Sequence, residues 1–238
     1  MIIHPDKTKS MIIATRQKQQ NTTEKLSLTL NKSKIEQVKQ YKLLGLWIDS
    51  GISWNIHVDK LIRKIARNTF LLSRLKLYTN THNLKLFFDA HIMSHINYAS
   101  TVWDGCSKDA LKKLNSVYRR AIKHLIYNPN LNTDEKLKTL KLLPLEKHLE
   151  FNKAIIVHKI NHEKTPSYLR QLMNKATPRY NSKNLIPPRS FNDCFKTSLA
   201  FSGSTLWNKL PHNLKNITKP KTFKIELHKH YINSEKPP

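Results

Sequence analysis

Lys60, Arg63, Lys64, Arg67 and Arg74 recur at helical spacing on one stripe of a segment whose apolar residues Val58, Leu61, Ile62, Ile65, Leu72 and Leu75 fall on another. Only Asp59 opposes them in sign. A cationic helix face is often just solvated, but it then usually carries glutamates that neutralise it through i,i+4 pairs. Those partners are missing here, and the chemistry the stripe offers is contact with phosphate oxygens. A second stripe is built the same way: Lys112, Lys113, Arg119, Arg120 and Lys123 project outward, while Leu111, Leu114, Val117, Ala121 and Leu125 point inward.

Other chemistry is sparse. His91 and His95 lie four apart on a helical pattern, a spacing that can hold a metal, but Cys106 is the only nearby candidate for a third ligand, and two packed histidines are the simpler reading. No metal is assigned. No two aspartates are adjacent, and the acidic neighbours Asp134-Glu135 open a helix, where acids favour the dipole. There is no Gly-x-Ser-x-Gly elbow, no His-Glu-x-x-His and no cluster of Asp, Glu and His of the endonuclease type. Four glycines in 238 residues leave no P-loop and no dinucleotide fingerprint.

The whole chain shares the sign of its helices: 42 Lys plus Arg against 16 Asp plus Glu, a formal +26. Such an excess is offset by a polyanion or tolerated as self-repulsion, and the usual polyanion is RNA or DNA. An anionic membrane surface is the rival. It is the weaker one, because the apolar faces of the basic helices are needed for one another. No stretch approaches 18 uninterrupted apolar residues, and Pro5-Asp6-Lys7 follows Met1-Ile2-Ile3 too closely for a secretory signal. Cys106 and Cys194, far apart, point to free thiols in a reducing, intracellular compartment.

The elements that position these residues are mainly helical. Strands are expected near 10–15, 26–30 and 41–48, the last with Gly45 marking a bulge or a close approach. Helices follow over 54–78, 80–102 (capped by Asn80-Thr81), 108–127 (capped by Ser107), 133–143 and 145–162, with a small element at 168–173. Prolines and asparagines with weak periodicity make 174–202 an extended linker, and Trp207 and Leu210 anchor a helical tail that Pro211 interrupts. The expected fold is thus mainly α with a small N-terminal antiparallel sheet (α+β), in four parts: strands over 1–52, a helical bundle over 53–173, the linker over 174–202 and the tail over 203–238.

Three local patterns, in order, carry a resemblance. Lys7-Thr8-Lys9 follows a His-Pro-Asp turn. Tyr41-Lys42-Leu43-Leu44-Gly45-Leu46-Trp47-Ile48-Asp49 then leads into a basic helix, with Tyr98-Ala99 and Trp103 downstream. Trp207-Asn208-Lys209-Leu210-Pro211 lies near the carboxyl end. Together they resemble the reverse transcriptases of non-LTR (LINE-like, jockey-like) retrotransposons. The resemblance implies the last palm strands, a thumb-like helical bundle and the carboxyl-terminal helical region of an RNA-directed DNA polymerase. It implies that Lys7 or Lys9 faces the triphosphate side of the site. It also implies that the catalytic aspartate pair, and the Mg2+ it would hold, belong to an amino-terminal half outside this chain, so that Met1 lies within a once longer reading frame. The cysteine- and histidine-containing knuckle common near the ends of such polyproteins is missing. The expected activity of the chain alone is binding of a template-primer duplex (RNA, DNA or a hybrid) without catalysis. The other reading is a non-catalytic basic RNA- or DNA-binding or scaffold protein derived from a mobile element.

Overall fold

Asp49 shows how the chain turns from strand into helix. Its carboxylate accepts from the Gly51 and Ser53 amides at 3.0 and 3.1 Å and from the Ser53 hydroxyl at 3.1 Å, closing the loop before the first long helix. The computed structural model describes residues 4, 7–14, 18, 27–30, 32–175, 183–190 and 193–234. Pro5, Asp6, Leu26, residues 176–182 and the last four residues of the tail, on which parts of the sequence reading fall, lie outside them.

The fold is mainly helical with small β pairs. Among the described N-terminal residues, β1 (Lys9–Ser10) pairs in parallel with β4 (Glu36–Gln37), β2 (Thr29–Leu30) pairs antiparallel with β3 (Ser33–Lys34), and β5 (Gln40–Leu43) pairs antiparallel with β6 (Leu46–Asp49). These are separate two-stranded ladders. The stretch expected as one strand over 41–48 is instead a hairpin, with Leu43 opposite Leu46 and a two-residue turn at Leu44-Gly45. Both turn residues have positive φ, 46° and 86°, the pattern of a primed turn whose twist matches the flanking strands. Gly45 supplies that conformation without strain, and Leu44 is left 82% exposed at the tip.

Helix α1 (Asn55–Leu75) buries Val58, Leu61, Ile65 and Leu72 as its periodicity requires. The helix expected over 80–102 is broken. It runs as α2 (Thr81–Phe88), a π-helical turn over Asp89–Met93, α3 (Ser94–Asn97) and, after Ala99 at φ 48°, α4 (Ser100–Trp103). Caps lie where the sequence put them: Asn80 Oδ1 accepts from the Asn83 amide at 3.0 Å, and Ser107 Oγ accepts from the Ala110 amide at 3.2 Å. Ser107 thereby starts α5 (Lys108–Lys123). Asn132 and Glu135 form a reciprocal capping box at the start of α6 (Thr133–Leu140).

Helix α7 (Leu145–Asn161) joins two hydrophobic cores. Its first turns give Leu145 and Leu149 to the core built on α1, α2 and α5, whereas Phe151, Ala154, Val157 and Ile160 belong to a second core. That second core is completed by Met173, Leu185, Trp207, Leu210, Leu214, Phe223, Leu227 and Tyr231. The two cores therefore meet along α7. After α8 (Ser167–Arg170), the stretch expected as an extended linker contains a β7 (Asn174–Lys175) and β8 (Leu185–Ile186) pair, α9 (Asp193–Lys196) and a π-helical turn over Leu199–Gly203. The end of the chain folds as α10 (Ser204–Lys209), α11 (His212–Lys215) and α12 (Pro220–Asn233).

Candidate nucleic-acid interface

Helices α1 and α5 lie side by side and run in the same direction. At their starts the Ser107 amide donates to Asn55 Oδ1 at 3.2 Å; at their ends the Lys76 ammonium stands 5.9 Å from the Tyr127 ring. Each helix packs through its apolar stripe, so the cationic stripes lie on the outer surfaces.

On α1, Lys60, Arg63, Lys64, Arg67 and Arg74 are all exposed, and among the described residues none forms an ion pair. Lys60 sits 4.8 Å over the Trp47 ring and Arg74 5.3 Å from the Phe70 ring, contacts that hold the stems while leaving the charges in solvent. Phe70 and Leu71, both exposed, stand among these cations.

On α5, Lys112, Lys113, Arg120 and Lys123 are exposed in the same way. Arg119 is not free. It makes a two-pronged pair with Asp134, Nη1 to Oδ1 at 2.7 Å and Nη2 to Oδ2 at 3.1 Å, which holds the Asp134 carboxyl below its ordinary range, mainly by that hydrogen bond. Arg119 thus fastens α6 to α5.

The geometry adds residues that spacing did not single out. Burial, then the charges of Lys76, Lys136 and Arg120, push the His124 imidazole below its usual pKa, marking a knot of positive charge at the carboxyl ends of α1 and α5. Lys136 itself is buried; its ammonium donates to the Ile126 carbonyl at 2.9 Å and the Lys123 carbonyl at 3.3 Å, covering the end of α5 where the helix dipole is negative. Tyr78 and Tyr127, both strongly exposed, flank this knot. His95, lowered by burial and then by Lys64 and His91, borders the α1 stripe. The two histidines weighed as a metal pair are therefore neighbours of the basic surface. Among the described residues no three of His, Cys, Asp and Glu stand together as a metal donor set.

The motif residues fall elsewhere. Lys7 is exposed, Thr8 donates its hydroxyl to the His4 carbonyl at 2.9 Å, and Lys9 is held by Glu36 at 2.5 Å. Leu44 and Gly45 meet the other motif. The Tyr98 hydroxyl donates to the Leu44 carbonyl at 2.5 Å, and the Trp103 indole donates to the Tyr98 carbonyl at 3.0 Å. Trp103 and Trp207 are buried. Trp207 donates to the Lys183 carbonyl at 2.8 Å. Asn208 clasps Leu185 twice, accepting from its amide at 2.9 Å and donating to its carbonyl at 2.8 Å. Pro211 caps the start of α11. Trp207 and Asn208 therefore tie the second core to a segment 23 or so residues back along the chain.

No helix among the described residues is long and apolar enough to cross a membrane. No protein-family model, no curated protein and no solved structure matches this chain.

Proposed function

We propose that the chain binds the phosphate backbone of a duplex nucleic acid through the outward face of α1, helped by the exposed lysines and Arg120 of α5. The observation that carries this reading is the exposure of Lys60, Arg63, Lys64, Arg67 and Arg74 on one stripe with no carboxylate partner among the described residues. Cations without partners on a chain of net charge +26 are the ones whose counterions a polyanion can release. On this reading the protein is the thumb-like, carboxyl-terminal part of a retrotransposon-type reverse transcriptase, holding template and primer inside the cell while the carboxylates for polymerisation come from another polypeptide segment.

A second reading, a non-catalytic RNA- or DNA-binding or scaffold protein of mobile-element origin, shares the same surface and differs only in lacking a polymerase partner. The Arg119–Asp134 pair favours neither, since it removes one cation from α5 for a structural purpose.

Binding of a short RNA–DNA hybrid, followed by fluorescence anisotropy over a range of salt, tests the interface. Log K should fall steeply, by about 0.9 per phosphate contacted for each tenfold rise in salt on a B-form duplex. Changing Arg63, Lys64 and Arg67 together to Gln should weaken binding of every sequence and flatten that slope. A slope unchanged by the triple substitution removes α1 from the interface. Primer extension by the isolated chain with any divalent metal overturns the non-catalytic assignment.

A further inference from the structure

Along α1 the basic stripe changes character partway. Among the described residues of the helix up to Thr69, no large apolar side chain is exposed, whereas Phe70 and Leu71, then Leu77 and Tyr78 in the turn that follows, all are. Arg63, Arg67, Phe70 and Arg74 succeed one another at i, i+4, i+7 and i+11, so the Phe70 ring stands within the cationic stripe itself. That ring is 58% exposed, and the Arg74 guanidinium lies 5.3 Å from its centre.

A second connection brings another ring to the same end of the helix pair. Tyr127 follows α5 and is 89% exposed, and the Lys76 ammonium stands 5.9 Å from its centre. Tyr78, 85% exposed, lies two residues beyond that lysine. Phe70, Tyr78 and Tyr127 are therefore open to solvent at the carboxyl ends of α1 and α5, with Arg74 and Lys76 among them.

No acidic residue occurs in the sequence between Asp59 and Asp89 or between Asp109 and Asp134, and Asp134 is taken by Arg119. Arg67, Arg74 and Lys76 have no ion-pair partner among the described residues. An exposed apolar patch rimmed by polar groups marks an interaction surface, and here the rim is cationic. A purely apolar partner would bury these cations unpaired, at a high cost. The fitting partner carries negative charge and flat apolar faces together. Within a duplex the bases hide their faces against one another; in an unpaired strand they are free to stack on aromatic rings while the phosphates meet the cations.

We propose that the carboxyl-terminal part of α1 and the two turns beyond α1 and α5 hold the single strand that leaves the end of the duplex, its unpaired bases stacked on Phe70, Tyr78 and Tyr127 and its phosphates on Arg67, Arg74 and Lys76. The purely cationic first part of α1 then faces the paired region, and the protein binds a junction between duplex and single strand. Placing the surface at a junction rests on α1 binding duplex; the stacking itself does not.

Fluorescence anisotropy with the full chain compares a blunt RNA–DNA hybrid, the same hybrid with a six-nucleotide single-stranded RNA extension, and a single-stranded RNA octamer. The extended hybrid should bind about tenfold or more tighter than the blunt one. The variant Phe70→Leu, Tyr78→Ser, Tyr127→Ser should erase that advantage and weaken the octamer, while blunt-hybrid binding and its salt slope stay unchanged, since no charge is lost. Tyr78→Phe with Tyr127→Phe keeps the rings and should keep the advantage. Equal binding of blunt and extended hybrids, or an advantage that survives loss of the rings, would overturn the proposal and leave duplex binding by α1 standing. Failure of the blunt hybrid alone, with ring-dependent binding of the octamer, would instead remove the duplex reading and retain the stacking surface. Ring-dependent binding to phosphatidylserine vesicles, or ring-dependent self-association in sedimentation, without preference for the extended hybrid would assign the patch to a membrane or to a second copy and overturn the proposal.

Discussion

The Tyr98 hydroxyl reaches 54 residues back along the chain to donate to the Leu44 carbonyl, pinning the tip of the β5–β6 hairpin to the break between α3 and α4. A Cβ on Gly45 would lie 3.3 Å from the same Tyr98 ring, so the turn and the ring are fitted to each other.

Tyr98→Phe should cost about 1 kcal/mol, the ordinary net worth of one hydrogen bond. Gly45→Ala should cost about 1–2 kcal/mol, because an L side chain pays a steric penalty in the left-handed region and also crowds Tyr98. Urea unfolding gives both values, and amide exchange across Leu43–Leu46 should speed up in each variant. Unaltered exchange in Tyr98→Phe would mean that the hairpin is held by something else.

Asn208 satisfies both backbone groups of Leu185. Asn208→Ala leaves that amide and carbonyl without their partners and should cost about 2–3 kcal/mol. Asn208→Asp keeps an acceptor for the amide but sets an oxygen against the carbonyl, so it should rescue little. Equal stability of the Asp variant and the original protein would refute the two-sided clasp.

Asp104 and Lys153 form a buried pair at 2.7 Å that joins α4 to α7, and Lys153 also donates to Ser202 Oγ at 3.0 Å. Burial raises the Asp104 pKa, and Lys153 opposes that rise. Lys153→Met should destabilise by about 3–5 kcal/mol at neutral pH, because it strands a buried carboxylate. With the folded pKa then well above the unfolded one, the folded state binds the extra proton, and stability should rise as pH is lowered. A loss independent of pH would point to packing alone.

His148 gives the original protein the opposite pH dependence. Burial, then the charges of His228 and Lys224, hold it down to about 4, against a slight upward pull from Asp89. Its folded pKa lies below the unfolded value, so the unfolded chain takes up a proton first. The stability this group contributes is complete above about pH 6.5 and is lost as pH falls toward 4, by up to about 3 kcal/mol. His57, His158 and His228, lowered in the same direction, act with it. Urea midpoints measured between about pH 7.5 and 4.5 should fall steeply, and His148→Gln should flatten the curve.

The long helices were legible because α1, α5 and α7 each carry an apolar stripe at period 3.6, and the caps at Asn80 and Ser107 because a short polar side chain precedes each run. The Leu44-Gly45 turn was hidden by its leucine, since a two-residue turn of this kind normally announces itself with Asn or Asp. The π-helical turns at Asp89–Met93 and Leu199–Gly203 add a residue without upsetting the apolar pattern, so spacing alone reads straight through them. The cationic stripes could be read from spacing, but the diversion of Arg119 could not, because Asp134 lies on another helix. The role of Asn208 was equally invisible: its partner Leu185 sits in a stretch with no periodicity.

Because α7 gives one end to each core, neither half of the molecule owns a complete interior. Removing the carboxyl-terminal helices would strip the cover from Phe151, Val157 and Ile160 while the helix bearing them stays tied to the amino-terminal half through Leu145 and Leu149. Such a shortened protein would expose a greasy strip in its middle and self-associate, and heat should melt the intact molecule in one cooperative step.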